Sequence, residues 1–324
     1  MKTCFAPLEG ITGFIFRNTY HEFYGGIDEY YTPFISVNQT RKLKKRELED
    51  LLPENNRVPR LIPQILANNT EDALAYIRMI QEIGYDTVNL NMGCPSGTVV
   101  AKGKGSGMLR DLKVLDNFLE SLFYGLSTQF FEPVKLSVKT RIGIRDMEEA
   151  PMVLSVLAKY PIHEVILHPR LQKDFYKVPV HKEVVSSWQQ TLTAPMIYNG
   201  DLNTPRDVQD ICQSYPDLQG IMLGRGLLWH PSMLNSYVEA RNNTTEIPSV
   251  CPPEDPKKLK AFHDTLVARM LETMQEPNNV LHRMKELWFY MGCNYPDATK
   301  TLKAIKKARN MQEYQLAVRS LFLS

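Results

Sequence analysis

The chain has 324 residues, 43% hydrophobic, 23% charged and 10% aromatic, an ordinary makeup for a folded protein that excludes disorder as the default and leaves room for one large domain and a smaller one. No stretch approaches the roughly eighteen apolar residues of a membrane span, and the opening MKTCFAPLEG has neither a long apolar core nor a cleavage-like site, so the expectation is a cytoplasmic protein without membrane attachment. The net charge of +2 is unevenly held: from Asp255 onward there are 12 Lys and Arg against 7 Asp and Glu, which suits a polyanionic partner and equally suits a solvated helical face.

In chain order, short β-branched runs at 4–8 (CFAPL), 29–37 (EYYTPFISV), 60–66 (RLIPQIL), 86–92 (DTVNLNM), 134–140 (VKLSVKT), 164–169 (EVILHP), 195–200 (PMIYNG) and 219–224 (QGIMLG) read as strands. Helical periodicity fills several of the gaps, as in NTEDALAYIRMIQEIG, which opens on a capping-type Asn-Thr-Glu and closes on Gly84. Eight strands with crossovers predict an α/β fold, a (β/α)8 TIM barrel over 1–245, with a doubly wound open sheet as the alternative. The Pro-rich 246–256 predicts a linker, and 257–324, which offers only helical patterns, predicts a small C-terminal all-helical domain.

In such a barrel the carboxyl ends of the strands carry the chemistry. Gln64, Asn91, Cys94, Lys139, Arg141, His168, Arg170, Asn199, Asp201, Gly224 and Arg225 all fall at those ends. The endings YNGD and LGRG place glycines where backbone N–H groups can approach an anion, with Arg225 as a charged fork; tight strand-to-helix turns would use the same glycines. Lys139 alternates with Val138 and Thr140, so it shares a side with Ser137 and Arg141, and inward cations this close require a ligand or a counter-charge.

The five cysteines, Cys4, Cys94, Cys212, Cys251 and Cys293, are odd in number and scattered, with no Cys-x-x-Cys pair. Neither a disulfide framework nor a metal site is expected. Cys94 lies in NLNMGCPSGTVVAKGKGSGML, between a strand and a glycine-rich loop. By itself it reads as a structural thiol in a turn; a nucleophile would want an adjacent base, and no histidine is near it in sequence.

The stretches APLEGITGFIFR (6–17), PQILANN (63–69), LNMGCPSGTVVAKGKGSGMLRD (90–111), VKTRIG (138–143), LHPRLQKDFYK (167–177), YNGDL (198–202), IMLGRG (221–226) and HRMKELWFYMG (282–292) resemble, in order and over nearly the whole chain, the tRNA-dihydrouridine synthase family of bacterial type. The resemblance implies an FMN enzyme, re-reduced by NADPH or NADH, that converts particular uridines of tRNA to 5,6-dihydrouridine. It implies hydride delivery from reduced flavin to carbon 6 of the uracil and protonation of carbon 5 by Cys94. Pro7, Gln64, Lys139 and His168 match positions around the flavin ring; Asn199, Gly200, Asp201, Gly224 and Arg225 match the ribityl and phosphate site. Asn91, Arg141 and Tyr176 match positions that hold the target uracil.

A barrel mouth can act on an RNA base only after that base leaves its stack. Lys102 and Lys104, Arg283 and Lys285, Lys300, Lys303 and Lys307, and the run RKLKKRE at 41–47 are the candidate phosphate contacts, each also readable as a solvated surface. Gly13 stands where relatives commonly have Asp, and 145–160 is less typical than its surroundings. Reduction of a free pyrimidine or an enone is one alternative; an RNA-binding protein on this scaffold that has lost or changed its catalysis, for example to flavin-folate methyl transfer to uridine, is the other. Nothing in the sequence demands more than a monomer.

Overall fold

The computed structural model describes residues 1–274 and 276–323. Its ten short strands are β1 (Lys2–Phe5), β2 (Glu29–Tyr31), β3 (Ile35–Ser36), β4 (Leu61–Ile62), β5 (Gln64–Leu66), β6 (Thr87–Met92), β7 (Lys135–Gly143), β8 (Glu164–Leu171), β9 (Met196–Asn199) and β10 (Gly220–Leu223). They form one sheet in the order β3-β5-β6-β7-β8-β9-β10-β1-β2-β4. The pairings are parallel, as strands joined by helical crossovers must be.

Ten strands make eight staves. The runs at 29–37 and 60–66, each expected as one strand, are divided at Pro33 and Pro63, because a proline has no N–H to give to a ladder. The break is bridged by a side chain: the Thr32 hydroxyl accepts the Gln64 N–H at 2.9 Å. With β2 and β3 taken as one stave and β4 and β5 as the next, the last strand in the order meets the first, and the sheet returns on itself as a TIM barrel. β1 lies between β10 and β2, which sets aside the open, doubly wound alternative.

Strands β6 and β8 are buried along their whole lengths, which is the pattern of a parallel sheet covered on both faces. Cys4, Ala6, Tyr31, Ile62, Ile166, Ile197 and Met222 pack into one cluster of the core. Near it, the Lys2 ammonium donates to Glu164 and, at 3.2 Å, to Glu29, while the Tyr31 hydroxyl donates to Glu164 at 3.3 Å. Burial raises the Glu164 carboxyl and Lys2 opposes the rise. Lys2, Glu29 and Glu164 each open a strand and Tyr31 lies two residues after Glu29, so this group stabilises the amino-terminal end and leaves the carboxyl end to chemistry.

The helix Thr70–Ile83 shows how local sequence sets the crossovers. Asn69 accepts the Asp72 N–H at its start, and Gly84 ends it at φ 117°, a left-handed value suited to glycine. The chain forms two compact units, one of Met1–Pro7, Asp28–Asp201 and Ile211–Met222, the other of Leu8–Ile27, Leu202–Asp210 and the rest from Leu223. The second unit is helical. Within it Phe16, Phe23 and Tyr24 surround Phe262, with ring centroids 5.3 to 6.0 Å apart, and Tyr314 receives the Trp288 indole N–H at 2.8 Å. Among the described residues no helix is long and apolar enough to cross a membrane.

Candidate active site

A chain of amides runs across the carboxyl side of the barrel. The Gln64 Nε2 donates to Asn89 Oδ1 at 2.8 Å, Asn89 Nδ2 to Ser137 Oγ at 2.9 Å, and Asn91 Nδ2 to Gln64 Oε1 at 2.8 Å. The register sets this up, since Gln64 stands opposite Asn89 and Asn89 opposite Ser137 in neighbouring strands. Side chains two apart on a strand share a face, so Asn89 and Asn91 follow one another along the wall. Gln64 and Asn89 are wholly buried. Each of these amides finds a partner, as burial requires.

The far end of that chain fixes Cys94. Asn91 Oδ1 accepts the N–H groups of Gly93 at 3.0 Å and Cys94 at 2.9 Å. On the other side the Cys94 carbonyl accepts the Ser106 N–H at 3.0 Å and the Ser106 hydroxyl at 2.9 Å. The thiol residue is therefore held from both flanks while remaining half-exposed. Gly105 makes the close approach possible. It has φ +58°, and a Cβ there would stand 2.7 Å from the Cys94 carbonyl oxygen and 2.8 Å from a Val99 methyl.

Lys139 stands opposite Asn91 in the register. Its ammonium donates to Asn199 Oδ1 at 2.7 Å, and Asn199 Nδ2 donates to the Met222 carbonyl at 2.8 Å. Its partner is thus a neutral amide. Burial, with the Arg141 charge beside it and against the opposite pull of the neighbouring Cys94, pushes the Lys139 ammonium down to about 7.

Arg141 is wholly buried and spends its guanidinium on backbone: Nε donates to the Gly93 carbonyl at 3.0 Å, Nη1 to Leu171 at 2.7 Å and Nη2 to Phe175 at 3.0 Å. Arg170 donates twice to Asp201, at 2.9 and 2.6 Å, and once to the Val178 carbonyl at 2.6 Å. Its Nη1 also lies 3.4 Å from His168 Nε2. The Tyr176 ring sits among these groups, 5.6 Å from the Arg141 guanidinium, 5.8 Å from that of Arg170 and 6.0 Å from the His168 ring. Next to it Phe175 takes φ 48° and ψ −101°, a costly conformation for a residue with a Cβ, held by the Arg141 bond to its carbonyl.

The structure therefore joins Gln64, Asn91, Cys94, Lys139, Arg141, His168, Tyr176, Asn199 and Asp201 through one set of contacts. Pro7 follows β1 and is half-buried. Gly200 passes closely under the wall, since a Cβ there would meet a Val180 methyl at 2.7 Å and the His168 ring at 3.3 Å. In the second unit, Gly224 precedes the short helix Arg225–Trp229, and the Arg225 guanidinium lies 5.3 Å from the Trp229 ring. Arg283 donates to the Gly10 carbonyl and Lys285 to the Ala308 carbonyl, each at 2.9 Å. Lys300, Lys303 and Lys307 are exposed on the helix Thr299–Lys307, at spacings that share a face.

Two contributors escaped the sequence reading, and a third was seen there without its partner. Asn89 had a detectable signal, since it lies two residues before Asn91 on one strand. Ser106 had none beyond its place in a glycine-rich loop. Arg170 was visible at a strand end, but its pairing with Asp201 was not. Among the described residues no group of three His, Cys, Asp or Glu side chains is arranged to hold a metal ion.

Comparison with known proteins places this geometry in context. Residues 4–320 match the family model described as "Dihydrouridine synthase (Dus)". A tRNA-dihydrouridine(16) synthase of Pseudomonas syringae pv. tomato is 24% identical over 313 residues, covering 95% of each chain. A probable tRNA-dihydrouridine synthase of Helicobacter pylori is 26% identical, over 76% of this chain and 71% of its own. Among solved structures, morphinone reductase aligns with a TM-score of 0.52 at 11% identity, over 79% of this chain and 88% of that one. The old yellow enzyme homologue from Zymomonas mobilis aligns with a TM-score of 0.51 at 9% identity, over 76% and 90%. At such identities these two speak for the barrel fold.

Proposed function

Because the chain belongs to the dihydrouridine synthase family, an oxidoreductase family, we propose that it reduces particular uridines of tRNA to 5,6-dihydrouridine, with Cys94 as the acid. The observation that carries this reading is Cys94 held by Asn91 and Ser106 at the mouth, next to Lys139. A thiol fixed through its backbone, with its side chain half-exposed, can keep a proton at one defined point and release it to a substrate carbon. No nucleophilic role is needed.

The mouth suits a flavin. Lys139 is a cation kept partly from water with a neutral amide as its partner, and such a group gains when a ligand carrying negative charge is placed against it. When bound and reduced by NADPH or NADH, FMN would supply the hydride for carbon 6 of uracil. Cys94 donates the proton to carbon 5. Gln64, His168 and Pro7 line the ring side of that pocket, and Asn199, Gly200 and Asp201 its ribityl side. On the sequence match alone, Gly224 and Arg225 are assigned to the cofactor phosphate.

The geometry qualifies two of the uracil contacts. Asn91 and Arg141 spend their polar atoms on the loops around Cys94 and Tyr176, so we assign them to positioning. Tyr176, half-exposed between two guanidiniums, offers its ring to a base that has been turned out of the RNA stack. Arg283, Lys285, Lys300, Lys303, Lys307, Lys102 and Lys104 hold RNA phosphates, which orients the tRNA without reading its sequence. A monomer suffices for this arrangement.

The test is nucleoside mass spectrometry of tRNA from a strain lacking the protein, restored with the unaltered chain or with Cys94→Ala. Dihydrouridine should vanish at one or a few positions and return only with Cys94 present. Unchanged dihydrouridine in the deletion strain and no product on isolated unmodified tRNA would overturn the proposal.

A further inference from the structure

Tyr176 is carried by a segment that two single helical turns bracket, Gln172–Asp174 before it and Lys182–Val184 after it. The Phe175 and Val178 carbonyls accept from Arg141 at 3.0 Å and from Arg170 at 2.6 Å. The Lys173 N–H donates to the Ile144 carbonyl at 3.0 Å, and the His181 N–H to the Pro169 carbonyl at 2.7 Å. A side chain then ties the two ends together. His181 Nε2 lies 3.3 Å from Asp174 Oδ2, and its Nδ1 lies 3.1 Å from Glu183 Oε1.

Both contacts are hydrogen bonds in one state of the ring only. A neutral imidazole has a single N–H to give and an ionised carboxylate has none, so two carboxylates at two ring nitrogens are satisfied together by the imidazolium. Loss of the proton leaves a ring lone pair against a carboxylate oxygen, whichever nitrogen keeps its hydrogen. The Asp174 side chain is 5% exposed and its Oδ2 also takes the Leu171 N–H at 2.9 Å. It immediately precedes Phe175, whose φ of 48° has to be held in place. Other charged groups stand around the link. Arg141 faces Asp174 from β7, Arg170 binds the Val178 carbonyl while paired with Asp201, and Lys173 turns to Asp146 at 3.9 Å. Tyr215 gives its hydroxyl to the Lys182 carbonyl at 2.9 Å and is raised by burial and by Glu183.

We propose that His181 is a positioning residue for the reaction at the mouth: as an imidazolium shared by Asp174 and Glu183 it clasps the Tyr176 loop shut, and loss of its proton lets the loop open. Histidine ordinarily changes charge between about pH 5 and 8, so the clasp is closed on the acid side of that range and released on the alkaline side. What Tyr176 receives rests on the synthase reading; the clasp itself rests on the count of donors and acceptors. An open loop lowers the fraction of protein able to seat a base, which weakens the apparent affinity for RNA and leaves turnover at saturation unchanged.

The experiment uses the full-length holoprotein, the parent beside His181→Asn and His181→Arg, at about pH 6 and about pH 8.5, on either side of the ordinary histidine range. Amide exchange over 172–180, corrected for the intrinsic effect of pH on exchange, reads the loop. Steady-state kinetics on unmodified tRNA read the mouth. In the parent, loop opening and the KM for tRNA should both rise by about 3- to 10-fold between the two conditions, the scale of one charge-assisted hydrogen bond. The kcat profile should be the same in all three proteins. His181→Asn should show the raised values at both pH values, and His181→Arg, charged throughout, the low ones. A loop whose opening ignores pH, or follows it equally in His181→Asn, overturns the proposal. So does a KM that stays level while the loop opens. If the loop behaves as stated and none of the three proteins reduces any uridine, the clasp stands and the synthase reading alone has failed.

Discussion

Arg170 and Asp201 are locked in a two-bond ion pair at 2.9 and 2.6 Å, with the arginine 3% exposed and the aspartate held at φ 46°. The pair joins the end of β8 to the turn after β9 and presses Arg170 against His168. Asp201→Asn would leave a buried guanidinium short of its counter-charge, a loss of about 3 to 5 kcal/mol. Urea unfolding of the flavin-free protein should show it. Arg170→Met in the Asp201→Asn background should recover part of the loss, because the orphan charge is then gone.

Asn91→Ala removes the acceptor for the Gly93 and Cys94 N–H groups and strips Gln64 Oε1 of its donor. Turnover on tRNA should fall by about 10- to 100-fold, as expected when a reacting group loses its placement. Reduction of the flavin by NADPH and the affinity for tRNA should change little. Single-turnover kinetics separate these steps. An equal loss in all three would mean that Asn91 merely supports the fold.

Lys139 gives a pH signature. Its folded value of about 7 lies below its ordinary 10.5, so between those limits the unfolded chain binds the extra proton and stability rises with pH. Below about 7 the penalty is fully present. Lys139→Met lacks it, so the variant's stability relative to the parent should be most favourable near pH 6 and should decline steadily toward about pH 9. Urea unfolding of flavin-free protein across that range gives the answer; parallel profiles would show that the lysine is not depressed.

Gly105→Ala should destabilise by about 1 to 3 kcal/mol, because it adds a Cβ at a left-handed φ. That Cβ meets the Cys94 carbonyl, a backbone atom that cannot swing aside. Thermal unfolding measures the stability, and alkylation of Cys94 by iodoacetamide should change in rate as the loop shifts.

Much of the barrel was readable because each strand keeps a short run rich in apolar and β-branched residues even where polar groups alternate with them, and β6 to β10 follow the expected runs within about three residues. The capped helix after β5 was equally plain, since Asn69 and Gly84 act within their own turn. What stayed hidden depends on partners far along the chain. Arg141 could be placed at a strand end, yet its use of the Leu171 and Phe175 carbonyls, 30 and 34 residues away, follows from the register of β7 and β8. Asn91 likewise reads as a polar residue facing the pocket until the path of the loop to Cys94 is known. The divided staves were a different matter. Pro33 and Pro63 were in plain view, and their missing N–H groups should have limited the strands.

That pair of prolines has a dynamic consequence. From β6 to β8 the wall is held by long ladders, but β2 to β5 meet in only two short pairs of rungs, Tyr30 with Leu61 and Tyr31 with Ile62, then Ile35 with Ile65 and Ser36 with Leu66, and β1 with β2 and β5 with β6 are equally short. A wall opens first where its ladders are short, so amide exchange should be faster among β1 to β5 than at β7. Exchange at Ile35 and Ser36 should therefore outpace exchange along Lys135–Gly143, so the side of the barrel before β6 yields while the strand that carries Lys139 stays closed.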